Sequence, residues 1–212
     1  MEKNKIILIP SYNELVSLKI ICKKLKKHKF KFLVLDDCST DGTGKWLKDN
    51  KIKFIKNFKN FGYEKNLLNG FYKVIKLKRI KSIITIDADG QHKINDILKL
   101  LKLKYCQRFD LVICNREKMN RWSERFLSFF FYLRFGVRDP ISGFKIYKKD
   151  LLKKLLNKIS INYFLVDLIF LSIKKKYKIK NFLITTRESK HSRIGDNIKI
   201  HLKILKNLKF VF

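Results

Sequence analysis

The chain has 212 residues, 46% of them hydrophobic, with 2 prolines and 8 glycines, enough apolar surface for one buried core and not the composition of a disordered or collagen-like chain. Lys and Arg number 50 against 18 Asp and Glu, a formal charge of +32, which points to polyanionic partners without choosing among them. The cations are mostly Lys and lie along the whole chain, amid the Ile, Asn and Phe that AT-rich codons favour, so the plainer reading is solvated faces.

Lys5–Ile9 reads as a buried strand, followed by Pro10-Ser11-Tyr12-Asn13-Glu14 and a helix over Leu15–Lys27. Tyr12 offers a ring for base stacking and Glu14 a carboxylate. The same residues also make a strand-to-helix turn, with Asn13 as cap and Glu14 favouring the helix start. Strand Phe32–Leu35 runs into Asp36-Asp37-Cys38-Ser39-Thr40-Asp41-Gly42-Thr43. Its carboxylates can accept hydrogen bonds from a nucleobase or from ribose hydroxyls. Asp41 and Thr43 read mostly as caps for a helix over Gly44–Lys48.

Strand Lys53–Ile55, helix Lys65–Lys76 and strand Ile83–Ile86 come next. Directly after them, Asp87 and Asp89 can turn toward one hard cation, Mg²⁺ or Mn²⁺, with Gln91 as a third oxygen. The competing reading is a capping turn before helix Asn95–Lys102. Strand Leu111–Cys114 completes the first 115 residues.

Strand alternating with helix predicts a doubly wound, mostly parallel α/β sheet, in which ligands bind beyond the carboxyl ends of the strands. PSYNE, DDCSTDGT and DADGQH each follow a predicted strand, which favours the metal reading of Asp87 and Asp89.

From Glu117 the pattern changes. A basic, aromatic-rich helix spans Arg121–Phe135, then comes DPISGFK, helices Asp150–Asn157 and Tyr163–Lys176, a strand Asn181–Thr186 and an amphipathic stretch from Ile198. RWSERFLSFFFYLRF suits a helix lying in a membrane interface, or an ordinary amphipathic core helix. Asp167, the carboxylate of an apolar stretch, faces either a site or solvent, and Asp139 before Pro140 reads as a turn residue. No run of about 18 apolar residues predicts a membrane span, and the N-terminus lacks a signal-peptide pattern, so a cytoplasmic location is expected. Cys22, Cys38, Cys106 and Cys114 form no CxxC pair and read as small hydrophobes.

IPSYNE, LDDCSTDGT, NFGYEKNLLNGF, IDADGQH and DPISGFK, in that order and spacing, resemble family 2 glycosyltransferases of the GT-A fold. Within these the resemblance is to the polyprenyl-phosphate (dolichol-phosphate mannose synthase-like) branch. It implies one GT-A domain over 1–197, with a nucleotide-sugar half 1–115, an acceptor half 116–197 and an amphipathic tail 198–212. It further implies inverting transfer of a sugar from a UDP- or GDP-linked donor to polyprenyl phosphate.

Carried over by position, Pro10, Tyr12, Glu14, Asp36, Asp37 and Asp87 would hold the nucleotide, and Asp87, Asp89 and Gln91 a Mg²⁺ or Mn²⁺ on the diphosphate. Arg116, Ser142, Lys145 and Arg125 would lie near the acceptor, and Asp89, Arg116, Arg193 and Asp167 would carry the chemistry. The family's turn ends in Arg where this chain has Lys145, which keeps the charge but loses the bidentate fork. Lys190–Asn197 resembles the family's H-x-R-x-G-x-S loop, with Arg193 as phosphate clamp and Asn197 in place of Ser.

Relatives often carry C-terminal transmembrane helices. Without one, peripheral docking, a membrane-anchored partner protein or a soluble acceptor is expected. Two other functions compete. A glycan, lipid or protein hydroxyl as acceptor would need a general base. A nucleic-acid-binding module is favoured by charge alone, but no reader motif is present and the acidic clusters repel phosphates, so no nucleic acid is expected. The absence of GxGxxG after the first strand argues against a dinucleotide-dependent oxidoreductase.

Overall fold

The computed structural model describes residues 4–91, 94–102, 108–119, 121–159, 163–185 and 198–210. Their elements are β1 (Lys5–Ser11), α1 (Leu15–Lys27), β2 (Phe32–Asp36), α2 (Thr43–Asp49), β3 (Phe54–Lys56), α3 (Tyr63–Val74), β4 (Ser82–Thr85), α4 (Ile94–Lys102), β5 (Leu111–Arg116), α5 (Trp122–Phe135), β6 (Lys145–Lys148), α6 (Lys149–Leu155), α7 (Phe164–Lys174), β7 (Ile179–Ile184) and α8 (Ile198–Leu205). Short 3-10 turns at Leu156–Lys158 and Lys206–Phe210 extend α6 and α8.

The strands form one seven-stranded sheet in the order β3-β2-β1-β4-β6-β5-β7. Pairing is parallel from β3 to β4 and between β5 and β7, while β6 runs antiparallel to both neighbours. The expected mostly parallel α/β sheet is therefore present.

Alternation along the strands builds two cores. Ile6 and Leu8 of β1 join Leu67 and Phe71 of α3, Leu127 and Phe131 of α5 and Phe164 and Leu168 of α7 on one face. Ile7 and Ile9 join Leu18 and Leu25 of α1, Leu47 of α2 and Ile97 of α4 on the other. A strand buried on both faces must be apolar at every position, which is why IILI reads as an unbroken run. Pro10 is tolerated in this central strand for a local reason. Ile7 N–H bonds to Lys31 O on the β2 side, so by alternation position 10 faces β4, whose register with β1 ends at Leu8↔Thr85. The missing donor falls where the ladder has already stopped.

Strand β6 is absent from the sequence reading, which took DPISGFK as a turn leading straight to a helix. It is only four residues long, and its first residue, Lys145, is fully buried. An inward lysine defeats the alternation rule, because lysines almost never sit inside. Since β6 is antiparallel, its start lies at the edge where β4 and β5 end, opposite Thr85 and Ile113. That brings the 139–144 turn to the ligand edge of the sheet.

Helix α5 has a buried side, as an amphipathic core helix requires, and an exposed one. The stretch from Ile198 packs on it: Trp122 stacks on His201 at 4.9 Å, and His201 Nδ1 lies 2.8 Å from Ser123 Oγ. Cys22 and Cys114 are buried and Cys38 half-buried, none of the three in a disulfide; burial pushes the Cys22 thiol up to about 12. Cys106 lies outside the described residues.

Candidate functional site

The polar segments after β1, β2, β4 and β5 meet at one edge, and hydrogen bonds knit them together. Asn13, in the left-handed region at φ 54°, turns its side chain away from its own helix. Its Oδ1 accepts the N–H groups of Thr40 at 2.7 Å and Asp41 at 3.3 Å, and its N–H donates to Ser39 Oγ at 3.0 Å. The expected cap on α1 is therefore supplied by Asp41, not Asn13. Asp41 Oδ2 accepts the Leu15 N–H at 2.9 Å, while Oδ1 accepts from Thr43 N at 3.1 Å and Thr43 Oγ1 at 2.6 Å. One carboxylate thus serves the first residues of α1 and α2. Partial burial raises its pKa, but these hydrogen bonds outweigh that and hold it below the usual carboxylate value.

Asp36 and Asp37, adjacent in sequence, have different surroundings. Asp36 is fully buried and its Oδ1 accepts the Ser39 N–H at 3.0 Å, so it shapes the turn beneath the edge. Asp37 Oδ1 accepts from Asn57 Nδ2 at 2.8 Å and Phe61 N at 3.0 Å, and Oδ2 from Gly62 N at 2.8 Å. Gly62 takes φ 83° to present that N–H, a conformation glycine adopts without penalty. Pro10 is buried, Tyr12 is 45% exposed, and Glu14 is half-buried, with its Oε2 accepting from Ser17 Oγ at 3.1 Å.

After β4, Asp87 is half-buried and its Oδ1 accepts the Tyr63 hydroxyl at 2.9 Å. Burial, then the neighbouring Asp87, holds the Tyr63 hydroxyl well above its ordinary pKa, so it stays a donor. Asp89 Oδ1 accepts the Gln91 N–H at 3.0 Å, which is the capping-turn contact. This leaves Gln91 contributing its backbone to the turn.

The Arg116 guanidinium forms a fork with Asp139, Nε to Oδ2 at 2.9 Å and Nη2 to Oδ1 at 3.1 Å, and Nη1 lies 3.2 Å from Glu124 Oε2. Glu124 also pairs with Arg121 at 2.8 Å. Asp139 is fully buried and Glu124 nearly so. The pKa of Arg116 is lowered by burial but raised more by Asp139 and Glu124, so it stays charged. Asp139 is thus more than a turn residue, being the buried partner that fixes Arg116.

Ser142 is buried, its hydroxyl donating to Cys114 O at 2.7 Å. The Lys145 ammonium donates to Ser142 O, and burial, opposed by Asp139 and Asp87, draws its pKa down to about 8. Both side chains lie beneath the edge, Lys145 as the first residue of β6 and Ser142 in the turn before it. Asp167 is buried in the first turn of α7, which corrects the solvated-face reading. Arg193, with the whole 190–197 loop, lies outside the described residues.

Beyond β5 a groove of about 600 Å³ opens between the 117–119 segment and α5. Lys118, Arg125 and Arg138 supply its cations, and Phe129 and Tyr132 part of its wall. The Arg138 guanidinium lies over the Tyr132 ring at 5.1 Å. Arg125 was singled out from the sequence, whereas Arg138, Lys118, Tyr63 and Asn57 were not. Arg138 immediately precedes the Asp139-Pro140 turn, and Tyr63 sits inside the NFGYEK motif. Those motifs were the available signal.

A family model described as "Glycosyl transferase family 2" matches residues 6–156. A UDP-N-acetylglucosamine–dolichyl-phosphate N-acetylglucosaminyltransferase of Methanococcus voltae is 26% identical, over 95% of this chain and 93% of its own. An undecaprenyl-phosphate mannosyltransferase of Micrococcus luteus is 28% identical, over 69% of this chain and 67% of its own. Among solved structures, glucosyl-3-phosphoglycerate synthase of Mycobacterium tuberculosis with Mn²⁺, uridine diphosphate and phosphoglyceric acid superposes with a TM-score of 0.74 at 13% identity, covering 98% of this chain and 78% of that one.

Proposed function

The chain belongs to glycosyl transferase family 2 and has the GT-A fold, and from that premise we propose that it moves a sugar from a nucleotide-sugar to a polyprenyl phosphate at the cytoplasmic face of a membrane. The observation that carries the reading is the pairing of two features at one sheet edge. Asp37, Asp87 and Asp89 follow β2 and β4, and a groove with three cations and aromatic walls opens beyond β5. The first suits a nucleotide-sugar. The second suits the phosphate head of an amphiphile, since Arg grips phosphate oxygens through paired hydrogen bonds. Relatives named for dolichyl phosphate and undecaprenyl phosphate support the same acceptor class.

The donor set fits a hard divalent ion in part. Asp87 and Asp89 offer carboxylate oxygens, the donors that Mg²⁺ and Mn²⁺ prefer. Among the described residues no three His, Cys, Asp or Glu side chains gather at one point, so the diphosphate and water would complete the shell. Such an ion would supply charge stabilisation for the departing nucleoside diphosphate, as Mn²⁺ beside uridine diphosphate in the superposed structure also suggests.

In the transfer itself, an acceptor phosphate oxygen bonds to the anomeric carbon while the bond to the diphosphate oxygen breaks, with inversion. The acceptor is already anionic, so no strong base is needed. Tyr63 orients Asp87, and Arg125 and Arg138 hold the acceptor phosphate. Arg116 acts through Asp139 and Glu124 to fix the start of α5, the groove wall.

The test is a thermal-shift panel of UDP, GDP and their sugars with Mn²⁺ or with chelator, followed by transfer to polyprenyl phosphate. A ligand at about 100 times its dissociation constant stabilises by ~2.7 kcal/mol. A Mn²⁺-dependent shift for one nucleotide, lost in Asp89→Asn, and sugar appearing on polyprenyl phosphate are expected. A folded protein that responds to no nucleotide would overturn the reading.

A further inference from the structure

The ends of β1, β2 and β3 stand side by side. Ser11 pairs with Asp36 and Asp36 with Lys56, and the ladder runs one step further, with Asp37 N–H donating to Ser11 O and Asn57 N–H to Asp36 O, both at 2.9 Å. Tyr12, Asp37 and Asn57 therefore share one level at the ligand edge, and Phe58 comes one residue beyond it. Tyr12 is 45% exposed and Phe58 82%, the most exposed large hydrophobic side chain among the described residues. A lone exposed Phe is ordinary, but this one sits on a loop that the fold holds in place. Asp37 is buried and accepts from Asn57, Phe61 and Gly62, all of that loop. Cys38, in the left-handed region at φ 65°, adds a contact from Sγ to Phe58 O at 3.7 Å. Phe58 meets Phe61 edge to face at 5.1 Å, and the Lys59 ammonium lies 5.8 Å from the first ring and 5.6 Å from the second.

The strand order decides what such a ring can meet. β1 and β3 flank β2, so their chains stand two strand spacings apart, about 9.6 Å. Two successive aromatic stacking distances of about 5 Å span the same gap, which matches one planar ring between Tyr12 and Phe58 at the end of β2. On the other side of β1 lies β4, two spacings from β2, and Asp87 and Asp89 follow it. A nucleoside diphosphate has this layout, with a flat base at one end and the charged group that a metal ion bridges to those carboxylates at the other. A peptide or a sugar could also cover an exposed ring, but neither calls for a pair of carboxylates about 10 Å away along the same edge.

We propose that Phe58 is a second aromatic wall of the nucleobase site, facing Tyr12 across the end of β2, and that Asp37 is the positioning residue that pins its loop. The inference rests on the nucleotide-sugar reading above and adds a residue that the motifs leave out, since Phe58 precedes the NFGYEK segment. Every base has a flat π face, so stacking supplies affinity without choosing among bases. The ring thus sets how tightly the donor is held, not whether its base is uracil or guanine.

The test is titration calorimetry of the full chain with UDP, with GDP and with inorganic pyrophosphate, all with Mn²⁺, comparing wild type, Phe58→Ala and Phe58→Tyr. Phe58 is exposed, so its replacement spares the core, and melting temperatures should agree. Phe58→Ala should bind the preferred nucleotide about tenfold more weakly and pyrophosphate as tightly as wild type, because only the base is lost from the comparison. Phe58→Tyr, which keeps a ring, should bind the nucleotide as wild type does. In Phe58→Trp, nucleotide should quench the added emission and pyrophosphate should not. Equal nucleotide affinity in Phe58→Ala would remove the aromatic wall and leave sugar transfer standing. An equal loss for pyrophosphate would assign the effect to the loop and not to the ring, and would also overturn the proposal. A wild type that binds neither nucleotide would overturn both readings together.

Discussion

Gly143 and Asp87 occupy adjoining space: a Cβ built on Gly143 would overlap both carboxylate oxygens of Asp87. The carboxylate after β4 therefore lies against the backbone of the turn before β6, and only glycine lets the two approach. Thr85 Oγ1 donates to Gly143 O at 2.7 Å and keeps the turn there. Gly143→Ala is expected to displace Asp87 by enough to lower sugar transfer about 100-fold, with circular dichroism unchanged. Tyr63→Phe, which removes the hydroxyl that orients Asp87, should cost about tenfold in the same assay, in line with a lost positioning hydrogen bond. Unaltered turnover in Gly143→Ala would take Asp87 out of the reacting site.

Arg116 bridges Asp139 and Glu124, and both carboxylates are buried. Arg116→Ala leaves them without it, and breaking a buried ion pair on one side costs about 3–5 kcal/mol. Urea denaturation should show that loss. Arg116→Lys restores the charge but not the fork to Asp139, so it should recover only part of the stability. Full stability in Arg116→Ala would show that the network does not hold α5.

Lys145 makes stability depend on alkaline pH. Its folded pKa is about 8, below the ~10.4 of an unfolded chain. Below the folded value both states carry the proton. Between the two values only the unfolded chain does, so stability rises with pH across that window. Between pH 7.5 and pH 10.5 the wild type should gain about 3 kcal/mol on Lys145→Met, measured by urea denaturation of both. A constant difference between the two proteins would contradict a folded Lys145 pKa below that of the unfolded chain.

Asp41 gives the opposite dependence at acid pH. Its folded pKa is depressed, because hydrogen bonds from Thr43 and Leu15 outweigh the effect of burial. The stability it contributes is complete above the ordinary carboxylate value and is lost as pH falls through the lower, folded one. Asp41→Asn should therefore be less stable than wild type at pH 7, and the gap should close as pH falls below about 4. A gap that persists in acid would assign the effect to side-chain shape and not to charge.

How much of this was legible beforehand differs from residue to residue. Apolar runs such as IILI and FLVL, and turn residues immediately after them, are local signals, and they sufficed for an α/β sheet with acidic clusters at its ligand edge. The motifs in register sufficed for the family. Strand β6 was hidden because its first residue is a buried lysine, and burial of a charge depends on Asp139 and Asp87 across the fold. Asn13 looked like a helix cap because the alternative donors, Thr40 and Asp41, lie more than 25 residues away.

The sequence by itself thus determined which side chains stand at the strand ends, since hydrophobic period and turn chemistry act over a few residues. Only the tertiary structure decided what each of them touches. It paired Arg116 with Asp139 and Glu124, placed Ser142 and Lys145 beneath the edge, gave Arg138 to the groove and left one row of α5 outside the core. Those outcomes rest on contacts between distant segments, where burial and charge compensation are settled jointly and no local pattern can specify them.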